Sequence, residues 1–140
     1  MNIAIKKINP EARIPVYAHE GDAGADLFSV ETVLLEPGIP TRVPTGIICE
    51  IPQGYVGLIW DKSGLSFNHG LKTLGGVIDA SFRGEIVIGL INLKSAPYTI
   101  EKGDKVAQLL LQPVQQAFFK EEVSLSNTTR NTDGWGSTGK

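Results

Sequence analysis

Five short stretches of this sequence set glycine beside charged or hydroxyl side chains more densely than turn formation requires. The first is Asp22-Ala23-Gly24-Ala25-Asp26, and the second is Asp61-Lys62-Ser63-Gly64-Leu65. The third, Gly75-Gly76-Val77-Ile78-Asp79, runs on through Phe82-Arg83-Gly84. The fourth is Gly103-Asp104-Lys105-Val106-Ala107-Gln108, and the last is Arg130 followed by Gly134-Trp135-Gly136-Ser137-Thr138-Gly139. Glycine lets backbone N–H groups close around phosphate oxygens, and lysine or arginine neutralises such oxygens. A carboxylate such as Asp79 can orient a water molecule and take its proton. Each stretch also has a plainer reading. The tail can be a loose end, Lys62-Ser63-Gly64 an ordinary loop, and Asp79 the cap of a turn.

Short strands must position these stretches. Glu36-Pro37-Gly38, Ile39-Pro40, Ile51-Pro52-Gln53-Gly54 and Lys102-Gly103-Asp104 are turn signals. Between them, strand character runs over Ile3 to Ile8, Val33 to Leu35, Gly46 to Ile51 and Tyr55 to Trp60. Further strands are predicted for Ile86 to Leu93, Lys105 to Pro113 and Ala117 to Val123. No stretch of a dozen residues carries a helical period. One short helix is predicted after Lys62, with Ser63 as its cap and Gly70 closing it. Short strands at this spacing point to a sandwich or jelly roll.

The bulk composition sets limits on partners. The chain has 140 residues, 41% hydrophobic and 20% charged, enough for one domain with one core. Its formal charge of -2 argues against a broad basic surface for nucleic acid or anionic membranes, so any bound polyanion must be neutralised locally. Cys49 is the only cysteine, which excludes an internal disulfide and a thiolate-rich metal site. Met1 to Pro10 does not read as an export signal, and no apolar run approaches the ~18 residues that span a bilayer. A cytoplasmic protein is expected. Residues 124–140, rich in Ser, Thr, Asn and Gly, read as a mobile arm appended to a domain of residues 1–123.

Taken together and in order, the five stretches resemble the trimeric dUTPase family over nearly the whole chain, from Ile3 to Gly139. The resemblance is carried by Ala23-Gly24-Ala25-Asp26-Leu27, Lys62-Ser63-Gly64-Leu65, and Gly76-Val77-Ile78-Asp79 with Phe82-Arg83-Gly84. Gly103-Asp104-Lys105-Val106-Ala107-Gln108-Leu109 and Gly134-Trp135-Gly136-Ser137-Thr138-Gly139 complete it. It implies an all-β, jelly-roll-like β-barrel with at most one short helix and a glycine-rich C-terminal arm. Three subunits would share three active sites, the arm of one closing over a neighbour's site as a lid. The implied reaction is hydrolysis of dUTP to dUMP and pyrophosphate with Mg2+, which keeps uracil out of DNA and supplies dUMP for dTMP synthesis.

The resemblance also assigns roles. Asp79 would hold the water that attacks the α-phosphate. Lys62, Ser63, Gly64, Gln108, Arg130, Gly136, Ser137 and Thr138 would contact phosphates. Thr73, Gly76, Val77, Ile78, Phe82 and Trp135 would contact base and sugar, with the backbone of a hairpin over Leu71 to Asp79 reading the uracil edge. Asp26 would support the metal through a bound water, or serve trimer packing. The chain departs from the family pattern in four places. Lys62 replaces the usual Arg and loses its two-pronged fork. Asp61, where Pro is frequent, sets a negative charge beside a polyphosphate. Phe82 replaces Tyr, and Thr73 replaces Asn or Gly.

Two other readings stand beside this one. A dCTP deaminase would share the fold, but there a Glu precedes the glycine matching Gly84, where this chain has Arg83, and the deaminases lack the glycine-rich tail. A nucleotide-binding regulatory protein without turnover would be expected to lose Asp79, Gln108 or the tail motif.

Overall fold

The computed structural model describes residues 1–132 and Gly134. The strands are β1 (Ala4–Lys7), β2 (Ala25–Phe28), β3 (Val33–Leu35), β4 (Thr41–Pro44), β5 (Ile47–Glu50) and β6 (Tyr55–Trp60). One helix, α1 (Ser63–His69), separates them from β7 (Leu71–Leu74), β8 (Val77–Ile78), β9 (Val87–Asn92), β10 (Tyr98–Ile100) and β11 (Lys105–Pro113).

Every ladder is antiparallel. The order β2-β11-β6-β8 forms a four-stranded sheet and β4-β9-β7 a three-stranded one, with β1-β5 and β3-β10 as two-stranded pairs. Neighbours in the sheets are mostly distant in sequence, so the strands wrap around a shared core as in a jelly-roll-like barrel. That core is aliphatic. Leu27, Leu35, Val43, Ile47, Ile51, Leu71, Ile86, Ile88, Leu90, Ile100 and Val106 are among its fully buried side chains. At roughly 1.5–3 kcal/mol for each buried aliphatic side chain, this set outweighs the surface ion pairs, whose usual worth is below about 1 kcal/mol.

β11 is the spine of the site-bearing sheet. It alternates inward and outward, with Val106 and Leu109 buried and Gln108 and Leu110 half-buried. Its register sets Gln108 directly opposite Asp26 of β2 on one side and Trp60 of β6 on the other. Side chains directly opposite in antiparallel strands lie on the same face. Strand pairing thus brings together three sequence regions separated by dozens of residues.

Three expectations need correction. Ala117 to Val123 forms no strand; the last ladder ends at Pro113, and this segment is exposed throughout. The segment has no partner strand among the described residues, and a strand without a ladder leaves its N–H and C=O groups unpaired. Ser63 is not the helix cap. Lys62 occupies that position in extended conformation, without a side-chain bond, and Ser63 is the first helical residue. Gly70 closes the helix in the left-handed conformation (φ 68°), as expected. Finally, the segment from Leu71 to Asp79 is not a self-paired hairpin: β7 pairs with β9, whereas β8 pairs with β6. Among the described residues, no helix is long and apolar enough to cross a membrane.

Candidate active site

A groove of about 490 Å³ lies over the β2-β11-β6 face, lined by Asp22, Gly24, Asp26, Trp60, Lys62, Gln108 and neighbours. Strand register supplies Asp26, Trp60 and Gln108, and the turn leaving β6 supplies Lys62. Three of the five motifs therefore meet in one groove. Trp60, half of it exposed, was not singled out by sequence reasoning; its place opposite Gln108 is visible only once the register is known.

Asp26 is the groove's electrostatic anchor. Only 2% of it is exposed. Its Oδ1 meets the Lys62 ammonium group and its Oδ2 lies 2.7 Å from Lys105 Nζ. The second contact is an ion pair off the line of a hydrogen bond. Burial pushes the Asp26 carboxyl up, but the contacts with Lys105 and Lys62 and their positive charges outweigh it and hold it below the ordinary carboxylate range. One carboxylate thus fixes two ammonium groups, of which Lys62 lines the groove together with Asp22. Lys105 belongs to the fourth motif, yet sequence reasoning gave it no role.

Gln108 is held just as firmly. Its Nε2 donates to the Asp61 carbonyl at 2.8 Å. Its side chain also lies over Gly24, where an added Cβ would fall 2.2 Å from Oε1. Glycine in the first motif is therefore the cradle of glutamine in the fourth.

Asp61 does not face the groove as a bare charge. Its Oδ1 accepts from the Thr73 N–H at 2.7 Å and the Thr73 hydroxyl at 2.6 Å, and its Oδ2 meets Lys72 Nζ at 2.8 Å. Burial raises its pKa, but the bonds from Lys72 and Thr73 and the Lys72 charge together hold it below the ordinary range. Thr73, assigned by resemblance to the base, thus turns its hydroxyl inward to Asp61 and is 9% exposed. Ser63 and Gly64 sit exposed at the start of α1, beside Lys62.

Asp79 lies elsewhere. It follows β8, is exposed, and lines a second cavity of about 740 Å³ with Tyr55, Val56, Val77, Ser81 and Gln115 among others. The two cavities have no lining residue in common. Gly76, which precedes β8, has φ 107°, and its Cβ would fall 2.8 Å from the Ile59 carbonyl oxygen. Only glycine combines that conformation with that approach. The turn after Asp79 is secured by the Phe82 N–H, which donates to the Asp79 carbonyl at 3.0 Å. Arg83 donates to the Ala80 and Phe82 carbonyls and pairs with Glu50 at 3.1 Å, a bracing role. The Phe82 ring covers Gly84, where a Cβ would meet ring carbon Cζ at 2.5 Å. Gly76, Val77, Ile78 and Phe82 thus cluster around Asp79, apart from the groove of Lys62 and Gln108.

Among the described residues, no three His, Cys, Asp or Glu side chains gather closely enough to hold a metal ion. A cation bound directly to Asp26 would have to displace two ammonium groups. Mg2+ keeps several waters and takes phosphate oxygens, so a cation carried by a polyphosphate fits this donor set, and direct ligation by Asp26 does not. Arg130 is described, but Trp135, Gly136, Ser137 and Thr138 lie outside the described residues.

The order of these motifs along the chain is shared with known proteins. A family model for dUTPase matches residues 10–139. The deoxyuridine 5'-triphosphate nucleotidohydrolase of Clostridium kluyveri is 45% identical over 141 residues, 99% of each chain. That of Corynebacterium diphtheriae is 49% identical, over 98% of this chain and 92% of the relative. Among solved structures, the dUTPase of Staphylococcus bacteriophage 80alpha with dUPNHPP superposes with a TM-score of 0.94, at 32% identity and 99% coverage of both chains. A mutant dUTPase from phage phi11 of S. aureus, described for its coordination of a structural Mg(II) ion, has a TM-score of 0.82 at 31% identity, over 89% of this chain and 98% of that one. With the family model spanning nearly its whole length and its own groove built from three of the five motifs, this chain belongs to the dUTPase family.

Proposed function

We propose that the chain hydrolyses dUTP to dUMP and pyrophosphate, as a homotrimer whose active sites are each assembled from more than one subunit. The observation that carries this reading is the division of the site. The groove with Lys62 and Gln108 and the cavity with Asp79 are separate in one chain. Bringing the Asp79 region of one subunit against the Lys62–Gln108 groove of another would complete a site. Exposure supports such packing. Phe118, Phe119, Val123 and Leu125 are all exposed in the single chain, as a segment awaiting a cover would be.

In this reading, the triphosphate lies along the groove, its charge met by Lys62, Ser63, Gly64 and Gln108, with Lys105 reinforcing the field. Asp79 accepts a proton from water as the water oxygen attacks the α-phosphorus, and the bond to the bridging oxygen breaks to release pyrophosphate. Mg2+ bound to the substrate's phosphates would supply charge neutralisation for the pyrophosphate leaving group. Asp26 would support such an ion through a bound water, since its oxygens already hold two lysines. The Gly76-Val77-Ile78 backbone reads the uracil edge, and Phe82 packs on the deoxyribose. Residues 124–140 act as the arm, with Arg130, Gly136, Ser137 and Thr138 on the outer phosphates and Trp135 over the base.

The test is pyrophosphate release from dUTP, dCTP, dTTP and UTP with magnesium, comparing wild type with Asp79→Asn. Turnover of dUTP alone, reduced by at least about 10³-fold in D79N, is expected. Ammonia from dCTP without pyrophosphate would instead mean a deaminase. No turnover by a folded protein that binds dUTP would leave a binding role.

A further inference from the structure

The departure at Asp61 has a structural counterpart. β6 runs antiparallel to the chain leaving the Gly75–Gly76 turn, with Leu58 opposite Val77 and the Ile59 N–H donating to the Gly76 carbonyl at 2.8 Å. Beyond that point no ladder is possible, because β7 has crossed to the other sheet as its edge strand. An edge strand leaves alternate N–H groups unpaired. The Asp61 carboxylate takes one of them, the Thr73 N–H, together with the Thr73 hydroxyl, while Lys72 balances its charge. Its own carbonyl meanwhile holds Gln108. One residue thus fastens the seam between two sheets, with the phosphate groove on one side and the strand that leads into the Gly75–Gly76 turn on the other.

We propose that Asp61 is a positioning residue for substrate recognition: its carboxylate stands in for the missing ladder partner of β7 and fixes the uracil-reading turn relative to Gln108 and Lys62. The inference rests on the dUTP-hydrolase reading above. Asp61 touches neither the substrate nor the reacting atoms. Its influence belongs in binding and base discrimination, not in the chemical step.

The experiment is steady-state hydrolysis of dUTP and dCTP by wild type, Asp61→Ala and Asp61→Asn, with thermal melting of each. D61A removes the acceptor of three hydrogen bonds, two from Thr73 and one from Lys72, so KM for dUTP should rise about tenfold with kcat within about threefold, and the preference for dUTP over dCTP should fall about tenfold. D61N keeps the Oδ1 acceptor and should lie nearer to wild type than to D61A on both measures. A folded D61A with unchanged KM and preference, a loss confined to kcat, or a D61N nearer to D61A each overturns the proposal. Should D61A fail to fold, Thr73→Val deletes the hydroxyl's bond to Asp61 and its longer one from Lys72 while keeping the N–H bond. A KM rise of about threefold is then expected, and an unchanged KM is the overturning result. A wild type inactive on dUTP removes the functional reading itself. An active wild type beside an unaffected D61A removes this inference alone.

Discussion

The two halves of the candidate site are built by opposite means. The groove of Asp26, Lys62 and Gln108 rests on paired strands, and each of its polar groups is engaged before any ligand arrives: Asp26 by two lysines, Gln108 by the Asp61 carbonyl. Asp79, by contrast, is exposed after a two-residue strand and held through turn bonds and the tight passage of Gly76. Phosphate binding needs fixed donors and fixed positive charge, since reorganising them during reaction would cost part of their benefit. A water-activating carboxylate needs only correct placement once substrate is present, and a neighbouring subunit can supply that. The difference teaches that one half is preorganised within the chain, whereas the other, in the proposed reading, would be completed by assembly.

Substitution of the two key glycines should separate the halves. Gly24→Ala sets a methyl against the end of a flexible side chain, so Gln108 should move and the backbone should not. The expected outcome in kinetic assays is a fall of about 10²-fold in kcat/KM with little change in melting temperature, in keeping with losing a placed donor. Gly76→Ala meets the backbone carbonyl of Ile59 and a φ of 107°, neither of which can yield cheaply. Urea denaturation should show a loss of about 2 kcal/mol, with activity reduced in the fraction that remains folded. A stability loss in the first variant, or none in the second, would contradict this division.

A smaller effect concerns pH. Asp26 and Asp61 both have carboxyl groups held below their ordinary values by lysine contacts. Their contribution to stability is therefore complete above the unfolded value near about pH 4, and is lost as pH falls through the lower folded values. Both carboxylates lie on the groove side of the site. Chemical denaturation at pH 3 against pH 6 should show the loss, and D61N should show less of it than wild type. Equal acid sensitivity in the two would mean that Asp61 carries no part of it.

Much of the frame was legible in the sequence. Val33–Leu35, Tyr55–Trp60 and Lys105–Pro113 are strands at the predicted bounds, because alternating or β-branched runs between glycine and proline turns leave few alternatives. β2 escaped notice because all four of its residues are buried, so it shows no alternation and lies within a motif that reads as loop. Ala117 to Val123 had strand character but no partner strand among the described residues. At the site, the motifs gave the cast of residues, yet Asp61 read as an intrusive charge. Its partners, Lys72 and Thr73, lie on a strand reached only after a helix, and no local pattern announces such a pairing. Lys105 and Trp60 were likewise invisible until strand register set them beside Asp26 and Gln108.

The most direct test of the shared site is complementation between two impaired variants, Asp79→Asn and Gln108→Ala, unfolded together in equal amounts and refolded. Where Asp79 and Gln108 of one site come from different subunits, random assembly leaves about a quarter of the sites with both residues intact, and activity on dUTP should recover toward that fraction. Activity no greater than the sum of the two variants refolded separately would mean that both residues serve the same site from the same chain, and would contradict the account.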